Sequence, residues 1–335
     1  MKFITESARL ALALCAALSL APRVGAGQSN AAPPSAAPRS AVIDAARMLR
    51  DLETLSSDAM QGRRTGTEGG AKARAYVAAE FGRIGLRPFG KSYLQPFSFE
   101  RQGKKIDGAN VVGYLPGASG GSLCLVVSAH YDHVGVIKGE IYNGADDNAS
   151  GTAALLAVAA HLARHRPAHN VVFAALDGEE MGLRGSQAFV RTPPVELSRV
   201  VLDVNMDMVS RNDRGELYAA GAHLYPFLRP YLEAVAARSK IRLVQGHDDP
   251  ALGAHDDWTN QSDQGSFHAA GVPFVYFGVE DHPDYHRPTD DFERVQPEFF
   301  VRAAETVLDA VKTFDANLEQ LGRDRARRPP AKPGA

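Results

Sequence analysis

The sequence has almost no cysteine, and this limits how the protein can be stabilised. Only two of the 335 residues are cysteines, Cys15 and Cys124. Cys15 lies in a segment that we predict to be removed, which leaves Cys124 without an internal partner. Small exported domains often depend on disulfides. That solution is excluded here, so a hydrophobic core or a bound metal must hold the fold together.

The chain also lacks an excess of positive charge. Lysine and arginine number 37 against 39 aspartates and glutamates, for a formal net charge of -2. Proteins that bind nucleic acids neutralise phosphates with basic residues. We therefore expect no nucleic-acid partner, and the composition is that of a globular enzyme.

A long membrane-spanning run is missing as well. The apolar run at residues 10–20 is shorter than the roughly 20 residues that a bilayer requires, so no transmembrane segment is expected. Basic residues precede it and Val24-Gly25-Ala26 follows it, which predicts a cleaved signal peptide at residues 1–26 and an exported protein, periplasmic or secreted. A lipoprotein signal at Cys15 is disfavoured, because Leu14 occupies the position where a small residue is needed.

The mature chain is predicted to contain one folded domain between two irregular segments. Residues 27–40 are rich in Ala, Pro and Ser and predict a disordered linker. Residues 41–318 form the predicted domain, and the Arg- and Pro-rich residues 319–335 predict a disordered tail. The glycine-rich loop at residues 62–70 lacks the Walker and dinucleotide spacings, so we interpret it as a connection.

Strand-like and helical runs alternate along the domain, which predicts an α/β fold with a mostly parallel mixed sheet. Four apolar runs, at residues 123–129, 170–176, 200–208 and 272–278, are each followed by histidine or carboxylate residues. Ligands of open α/β sheets bind at the carboxyl ends of the strands. Single charged motifs are usually solvated surface, but their repeated placement at one edge predicts a metal site.

Two motifs place metal-ligand chemistry near the first of these runs. His130 and Asp132 directly follow the strand, and Asp146 and Asp147 lie in a glycine-flanked turn before a predicted helix. Imidazole and carboxylate together favour a divalent metal, with zinc the leading candidate because it accepts both nitrogen and oxygen ligands.

The order and spacing of five motifs resemble the zinc aminopeptidases of the M28 peptidase family over residues 41–316. The motifs are His130-Tyr131-Asp132, Gly144-Ala145-Asp146-Asp147-Asn148, Asp177-Gly178-Glu179-Glu180, Asn205-Met206-Asp207 and Tyr285-His286-Arg287-Pro288-Thr289-Asp290. The resemblance implies a three-layer α/β/α sandwich of the zinc exopeptidase type. No long insertion separates the motifs, so the protease-associated domain of some relatives is not expected.

The resemblance also implies a role for individual residues. Two zinc ions would share Asp147 as a bridging ligand. His130 and Asp207 would complete one ion, and Glu180 and His286 the other, which leaves each ion an open position. Glu179 would be the general base.

Further roles follow from the same resemblance and from the chemistry of metal ligands. Asp132 suits a supporting role, accepting a hydrogen bond from the imidazole nitrogen of His130 that does not touch metal. Asp146 has no implied role beyond shaping its turn, and the peptide bond after Asp147 is implied to be cis. The other histidines lack partners at matching spacing and are assigned to surface or core positions: His133, His161, His165, His169, His223, His247, His255 and His268. His282, four residues before His286, is left open.

The sequence thus predicts an exported di-zinc exopeptidase that removes residues from peptides with a free N-terminus. A serine mechanism is not expected, because no Gly-x-Ser-x-Gly elbow surrounds Ser150. Two alternatives stay open: a glutaminyl cyclase, which resembles this family in fold but works with one zinc, and a non-catalytic binding module of the same fold. The preferred N-terminal residue and the oligomeric state are not predicted.

Overall fold

An eight-stranded mixed sheet organises the part of the chain that the computed structural model describes, residues 37–327. The strands are β1 Leu94–Arg101, β2 Lys104–Leu115, β3 Cys124–His130, β4 Gly135–Ile137, β5 Glu140–Tyr142, β6 Asn170–Leu176, β7 Val200–Asp207, β8 Glu216–Ala220, β9 Arg242–Gln245 and β10 Phe274–Gly278. The helices are α1 Ala45–Leu55, α2 Glu68–Ile84, α3 Gly151–Arg164, α4 Arg184–Arg191, α5 Arg229–Ala236, α6 Gln264–Ala269, α7 Pro297–Ala316 and α8 Leu318–Ala326. Strands β4 and β5 form a separate hairpin.

The sheet is parallel where the predicted ligands lie. The strand order is β1-β2-β6-β3-β7-β10-β8-β9, and β6, β3, β7 and β10 are parallel neighbours. Antiparallel pairs join β2 to β6 and β8 to β10. The four central strands correspond to the four apolar runs, so the predicted α/β fold with a mixed sheet is confirmed.

Both faces of the sheet are covered, as an internal parallel sheet requires. Along β3, Leu125 and Val127 belong to the larger hydrophobic cluster, whereas Val126 faces the smaller one. The larger cluster includes residues of α1, α2, α3, α5 and α7. The smaller contains Phe189 of α4 and Phe267 of α6. Helices therefore cover each face, and the predicted three-layer sandwich is confirmed.

Helix α2 shows how local sequence sets the connections around the site. The Thr67 hydroxyl accepts a hydrogen bond from the Gly70 N–H and caps the first turn. The helix ends at Gly85, whose φ of 90° is accessible to glycine without strain. The glycine-rich loop before α2 is thus a connection, but its Arg63 reaches the site, as described below.

The predicted disordered tail from residue 319 is wrong over its first part. Residues Leu318–Ala326 form α8. Leu318 and Leu321 are fully buried, and Arg325 donates hydrogen bonds to the carbonyls of Leu197 and Gly271. The two leucines anchor a segment whose composition is otherwise polar.

The segments at the two ends lie outside the described residues. These are the predicted signal peptide at residues 1–26, the linker to residue 36, and residues 328–335. Residues 37–327 belong to one compact unit. None of the helices in residues 37–327 combines the length and apolar character needed to cross a bilayer.

Candidate metal centre

The five predicted ligands lie together at the carboxyl edge of the parallel strands. His130 ends β3, Asp207 ends β7, and Glu180 follows β6. Asp147 lies in the irregular turn before α3, and His286 lies in the loop after β10. Adjacent parallel strands end at the same edge, so residues far apart in the chain become neighbours.

Asp147 stands between two groups of side chains. On one side, His130 Nε2 lies 3.2 Å from Asp207 Oδ1 and 3.5 Å from Asp147 Oδ1. On the other side, His286 Nε2 lies 3.0 Å from Asp147 Oδ2 and 3.3 Å from Glu180 Oε2. Asp147 thus presents one carboxylate oxygen to each group, which is the arrangement of a carboxylate that bridges two cations.

The ligand atoms have the properties expected around a cation. His130 Nε2, Asp207 Oδ1 and Glu180 Oε1 are buried without a hydrogen-bond partner among the described residues. Buried polar atoms are normally paired, and an unpaired one costs free energy. Imidazole and carboxylate ligands suit zinc, so the residues present fit the metal that the sequence predicts.

His133, which the sequence assigned to a surface or core position, lies in this cluster. Its side chain is fully buried, and its Nδ1 lies 2.7 Å from Glu180 Oε1 and 3.6 Å from Asp147 Oδ2. The ligand atoms of His133, Asp147, Glu180 and His286 all lie within 4.8 Å of one another. The signal in the sequence was its position three residues after His130, in the same post-strand loop.

Glu179 lies with the other group of ligands. Its carboxylate and the ligand atoms of His130 and Asp207 are all within 4.8 Å of one another. Distance alone does not separate a base from a ligand here, but the surroundings of the two adjacent glutamates differ.

These surroundings shift the two carboxyl groups in opposite directions. Burial raises the pKa of Glu179 well above its usual value, Asp207 adds to the shift, and His130 opposes it. Burial also acts on Glu180, but the imidazoles of His133 and His286 outweigh it and lower its pKa. The two adjacent glutamates therefore lie in different electrostatic surroundings, because two imidazoles contact Glu180 whereas burial dominates at Glu179.

Asp132 supports the site differently from the prediction. His130 Nδ1 donates to the backbone carbonyl of Asp132 at 3.1 Å, whereas the Asp132 carboxylate is 3.7 Å away. A carbonyl only accepts, so the Nδ1 proton is fixed and Nε2 keeps its lone pair. The Asp132 carboxylate instead accepts the backbone N–H of Glu179 at 3.1 Å and the Thr65 hydroxyl at 3.2 Å. It therefore orients the loop that carries Glu179.

Hydrogen bonds also fix the turn that carries Asp147. Asp146 accepts both the backbone N–H and the hydroxyl of Ser210 at 2.7 Å, so it shapes the turn as predicted. Asp290 accepts the N–H groups of Asp146 and Asp147 at 3.0 and 3.1 Å. His282 lies outside both ligand groups found among the described residues, and its Nε2 contacts Asp146 at 3.1 Å. The peptide bond from Asp147 to Asn148 is cis, as the resemblance implies.

Arg63 is a component of the centre that the sequence interpretation missed. Its side chain is fully buried, and burial lowers its pKa to about 10, so it remains a cation at neutral pH. Its guanidinium donates to five backbone carbonyls, those of Leu55, Tyr131, Asn143, Gly144 and Asp147. A buried cation thus joins the loop after β3 to the turn that carries Asp147.

Two aromatic side chains border the ligands. The Tyr276 hydroxyl donates to the Asp207 carbonyl at 3.1 Å, and the Tyr285 ring stacks on His286 with centroids 4.0 Å apart. Both contacts restrict the position of a ligand, so these tyrosines do more than fill the core.

Comparison with known families decides the relationship. The model of peptidase family M28 matches residues 110–311. The chain belongs to peptidase family M28. The match contains all five predicted ligands and Glu179, so the M28 region of the chain is also the region that builds the centre.

Curated M28-type relatives align with about half of the chain. Aminopeptidase YwaD of Bacillus subtilis is 31% identical over 199 residues, which cover 55% of this chain and 40% of the relative. A probable zinc metalloprotease of Leptosphaeria maculans is 30% identical over 197 residues, covering 55% of this chain and 46% of the relative. The aligned region therefore spans less than half the length of these relatives.

Solved structures share the fold over more of the chain. BSAP, a zinc aminopeptidase from Bacillus subtilis, superposes with a TM-score of 0.67 at 18% identity, covering 83% of this chain and 96% of that one. The aminopeptidase from Aneurinibacillus sp. strain AM-1 gives 0.66 at 17% identity, covering 81% and 93%. These similarities establish the α/β fold of the M28 domain.

Proposed function

We propose that this M28 protein is an exported zinc-dependent aminopeptidase that hydrolyses the first peptide bond of substrates with a free N-terminus. The observation that carries the proposal is Asp147, which offers one oxygen to each of two groups of ligand atoms, and each group contains buried atoms without a hydrogen-bond partner among the described residues. Family membership and the relatives named as aminopeptidases and zinc metalloproteases support the same activity.

Two zinc ions would share the Asp147 carboxylate. His130 and Asp207 would hold one ion, and Glu180 and His286 would hold the other. Bound zinc supplies Lewis-acid chemistry, since it polarises a carbonyl and lowers the pKa of water to about 7.

Glu179 acts as the general base in this proposal. Its carboxylate takes a proton from the attacking water and delivers it to the leaving amine. Asp132 holds the Glu179 backbone N–H, so the base is presented from a fixed loop.

Substrate panels and metal removal test the activity. We expect aminoacyl amides with a free α-amine to be cleaved, a chelator to abolish cleavage, and added zinc to restore it. Equal cleavage of amine-blocked peptides would refute the aminopeptidase assignment. Cyclisation of N-terminal glutaminyl peptides without hydrolysis would identify the protein as a glutaminyl cyclase. Zinc binding without turnover of any substrate would identify it as a non-catalytic binding module.

The neighbours Glu179 and Glu180 provide a matched pair of variants for the residue roles. Glu179→Gln should retain two zinc ions per chain and lose about 10²–10⁴-fold in turnover, the usual effect of removing general acid–base catalysis. Glu180→Gln should lower zinc content as well, because an anionic ligand becomes a neutral amide. Metal loss in Glu179→Gln with retention in Glu180→Gln would reverse the two assignments.

Export is a separate proposal that rests on residues 1–26, outside the described part of the chain. The intact mass of protein recovered from the native host should correspond to a chain that begins near Gly27. A mature protein that still contains residues 10–20 would refute cleavage.

A further inference from the structure

We infer that His133 is a fourth protein ligand, through Nδ1, of the zinc ion held by Asp147, Glu180 and His286. The inference deepens the proposed function and rests on it. One ion then has four protein ligands and the other three, so the two halves of the centre differ in affinity.

The first support is position. His133 Nδ1 lies 2.7 Å from Glu180 Oε1 and 3.6 Å from Asp147 Oδ2, and its ring lies edge-on to His286 with centroids 5.7 Å apart. The ligand atoms of all four residues are within 4.8 Å of one another. His133 therefore reaches the same group of oxygen and nitrogen ligands as His286.

The second support is that this close approach does not have the geometry of a well-formed hydrogen bond. Neither His133 Nδ1 nor Glu180 Oε1 has a hydrogen-bond partner among the described residues, although both are buried. A ring N–H and a ring lone pair point in the same in-plane direction, so Nδ1 is not aligned with Oε1 in either form. Buried polar atoms need a partner, and a cation shared with Glu180, Asp147 and His286 would supply one to His133 Nδ1 and Glu180 Oε1.

The third support is the backbone that receives the ring. Gly144 has a φ of +55°, and a Cβ at this position would lie 2.5 Å from Cγ and Cδ2 of His133 and 2.1 Å from the Asp147 carbonyl oxygen. A glycine is therefore required for the His133 ring to pack against the turn that carries Asp147. The imidazole is held where its Nδ1 faces the ligands.

Unequal ligand sets predict unequal binding. The ion with four protein ligands should fill first, while the ion held by His130, Asp147 and Asp207 keeps the open position typical of catalytic zinc. Loss of an outer hydrogen-bond partner of a ligand typically weakens metal binding about 10–100-fold. Loss of a direct ligand should weaken binding of the first ion by more than about tenfold and leave the second nearly unchanged.

The decisive experiment replaces zinc by cobalt(II) in the full chain labelled with ¹⁵N-histidine. Imidazoles bonded directly to cobalt show contact-shifted ring resonances. We expect three such histidines in the unaltered protein, namely His130, His133 and His286. A spectrum with only two contact-shifted histidines would overturn the inference. The experiment uses the unaltered protein, so its result does not depend on the folding of a variant.

A matched variant separates a ligand from a hydrogen-bond donor. His133→Asn keeps an N–H donor near the Nδ1 position but removes the imidazole, and exposed His255→Asn is the control. Zinc competition titrations should show the first, tighter affinity lost in His133→Asn and both affinities kept in His255→Asn. Unchanged affinities in His133→Asn would refute ligation. If the protein binds two zinc ions and cleaves substrate but His133 shows no contact shift, this inference is wrong and the proposed function stands. If the protein binds no zinc, the proposed function itself is wrong.

Discussion

Replacing Arg63 by methionine should destabilise the protein more than any neighbouring surface change. The variant keeps an unbranched side chain of similar length but removes every donor. Four carbonyls that now accept from Arg63 at 2.5–2.8 Å would lose this partner: those of Leu55, Tyr131, Asn143 and Gly144. Tyr131, Asn143 and Gly144 belong to the loops that carry His133 and Asp147, and Leu55 ends α1.

The magnitude follows from opposing contributions. A buried carbonyl without a donor costs about 1–3 kcal/mol, so four of them cost about 4–12 kcal/mol. The Arg63→Met variant no longer buries a charged guanidinium, which recovers several kcal/mol of folding free energy. The net loss should be about 3–5 kcal/mol, the usual cost of breaking a buried ionic network. Since whole domains have only about 5–15 kcal/mol of stability, this loss is a large fraction of the total.

Urea denaturation in the presence of chelator measures the effect without a contribution from metal. Arg64→Met is the matched control, because Arg64 donates to one carbonyl, that of Val134 at 2.8 Å. Arg63→Lys keeps the charge and should recover part of the loss. A free energy of unfolding for Arg63→Met within about 1 kcal/mol of the Arg64→Met value would refute the reasoning, since 1 kcal/mol is the worth of an ordinary hydrogen bond.

Four further outcomes are expected. Asp132→Asn removes the anionic acceptor of the Glu179 N–H, so steady-state kinetics should show turnover reduced about tenfold or more, with zinc content unchanged. Gly144→Ala should lower the free energy of unfolding by more than the about 1–3 kcal/mol that backbone strain alone costs, because the new Cβ would also clash with His133 and Asp147. Gly139→Ala is the control for strain alone, since Gly139 also has a positive φ but has open space around it. Asp290→Asn weakens two charged hydrogen bonds and should cost about 1.5–3 kcal/mol in urea titrations. Chelation should lower the melting temperature, since zinc at 100 times its Kd contributes about 2.7 kcal/mol per site; an unchanged melting curve would contradict a metal centre.

The fold was predictable where the sequence is most apolar. The central strands β3, β6, β7 and β10 are nearly fully buried, so each produces a continuous hydrophobic run. Strand β1 was missed because it alternates between exposed and half-buried residues. Helix α8 was missed because two buried leucines are a weak signal within a polar segment.

The part of the site that could be predicted consists of residues at or just after the ends of strands. His130, Glu180 and Asp207 lie at or just after the ends of parallel strands, and topology alone brings them together. The neighbours of His133 and Arg63 cannot be read from spacing, because they come from other loops and become close only in the folded chain. The sequence predicted that the carboxylate of Asp132 accepts a hydrogen bond from His130, but it accepts the backbone N–H of Glu179 instead. Which of the two it contacts depends on the direction of the side chain.

In the proposed di-zinc centre, Asp147 would hold two ions only when elements from distant parts of the chain have assembled around it. His130 ends β3 and His286 follows β10, and these two strands are separated by β7 in the sheet. No short stretch of unfolded chain offers the complete set of ligands, so unfolded molecules should retain zinc poorly. We therefore expect metal capture to come late in folding. The zinc content of a preparation then reports the fraction of molecules that have completed the sheet.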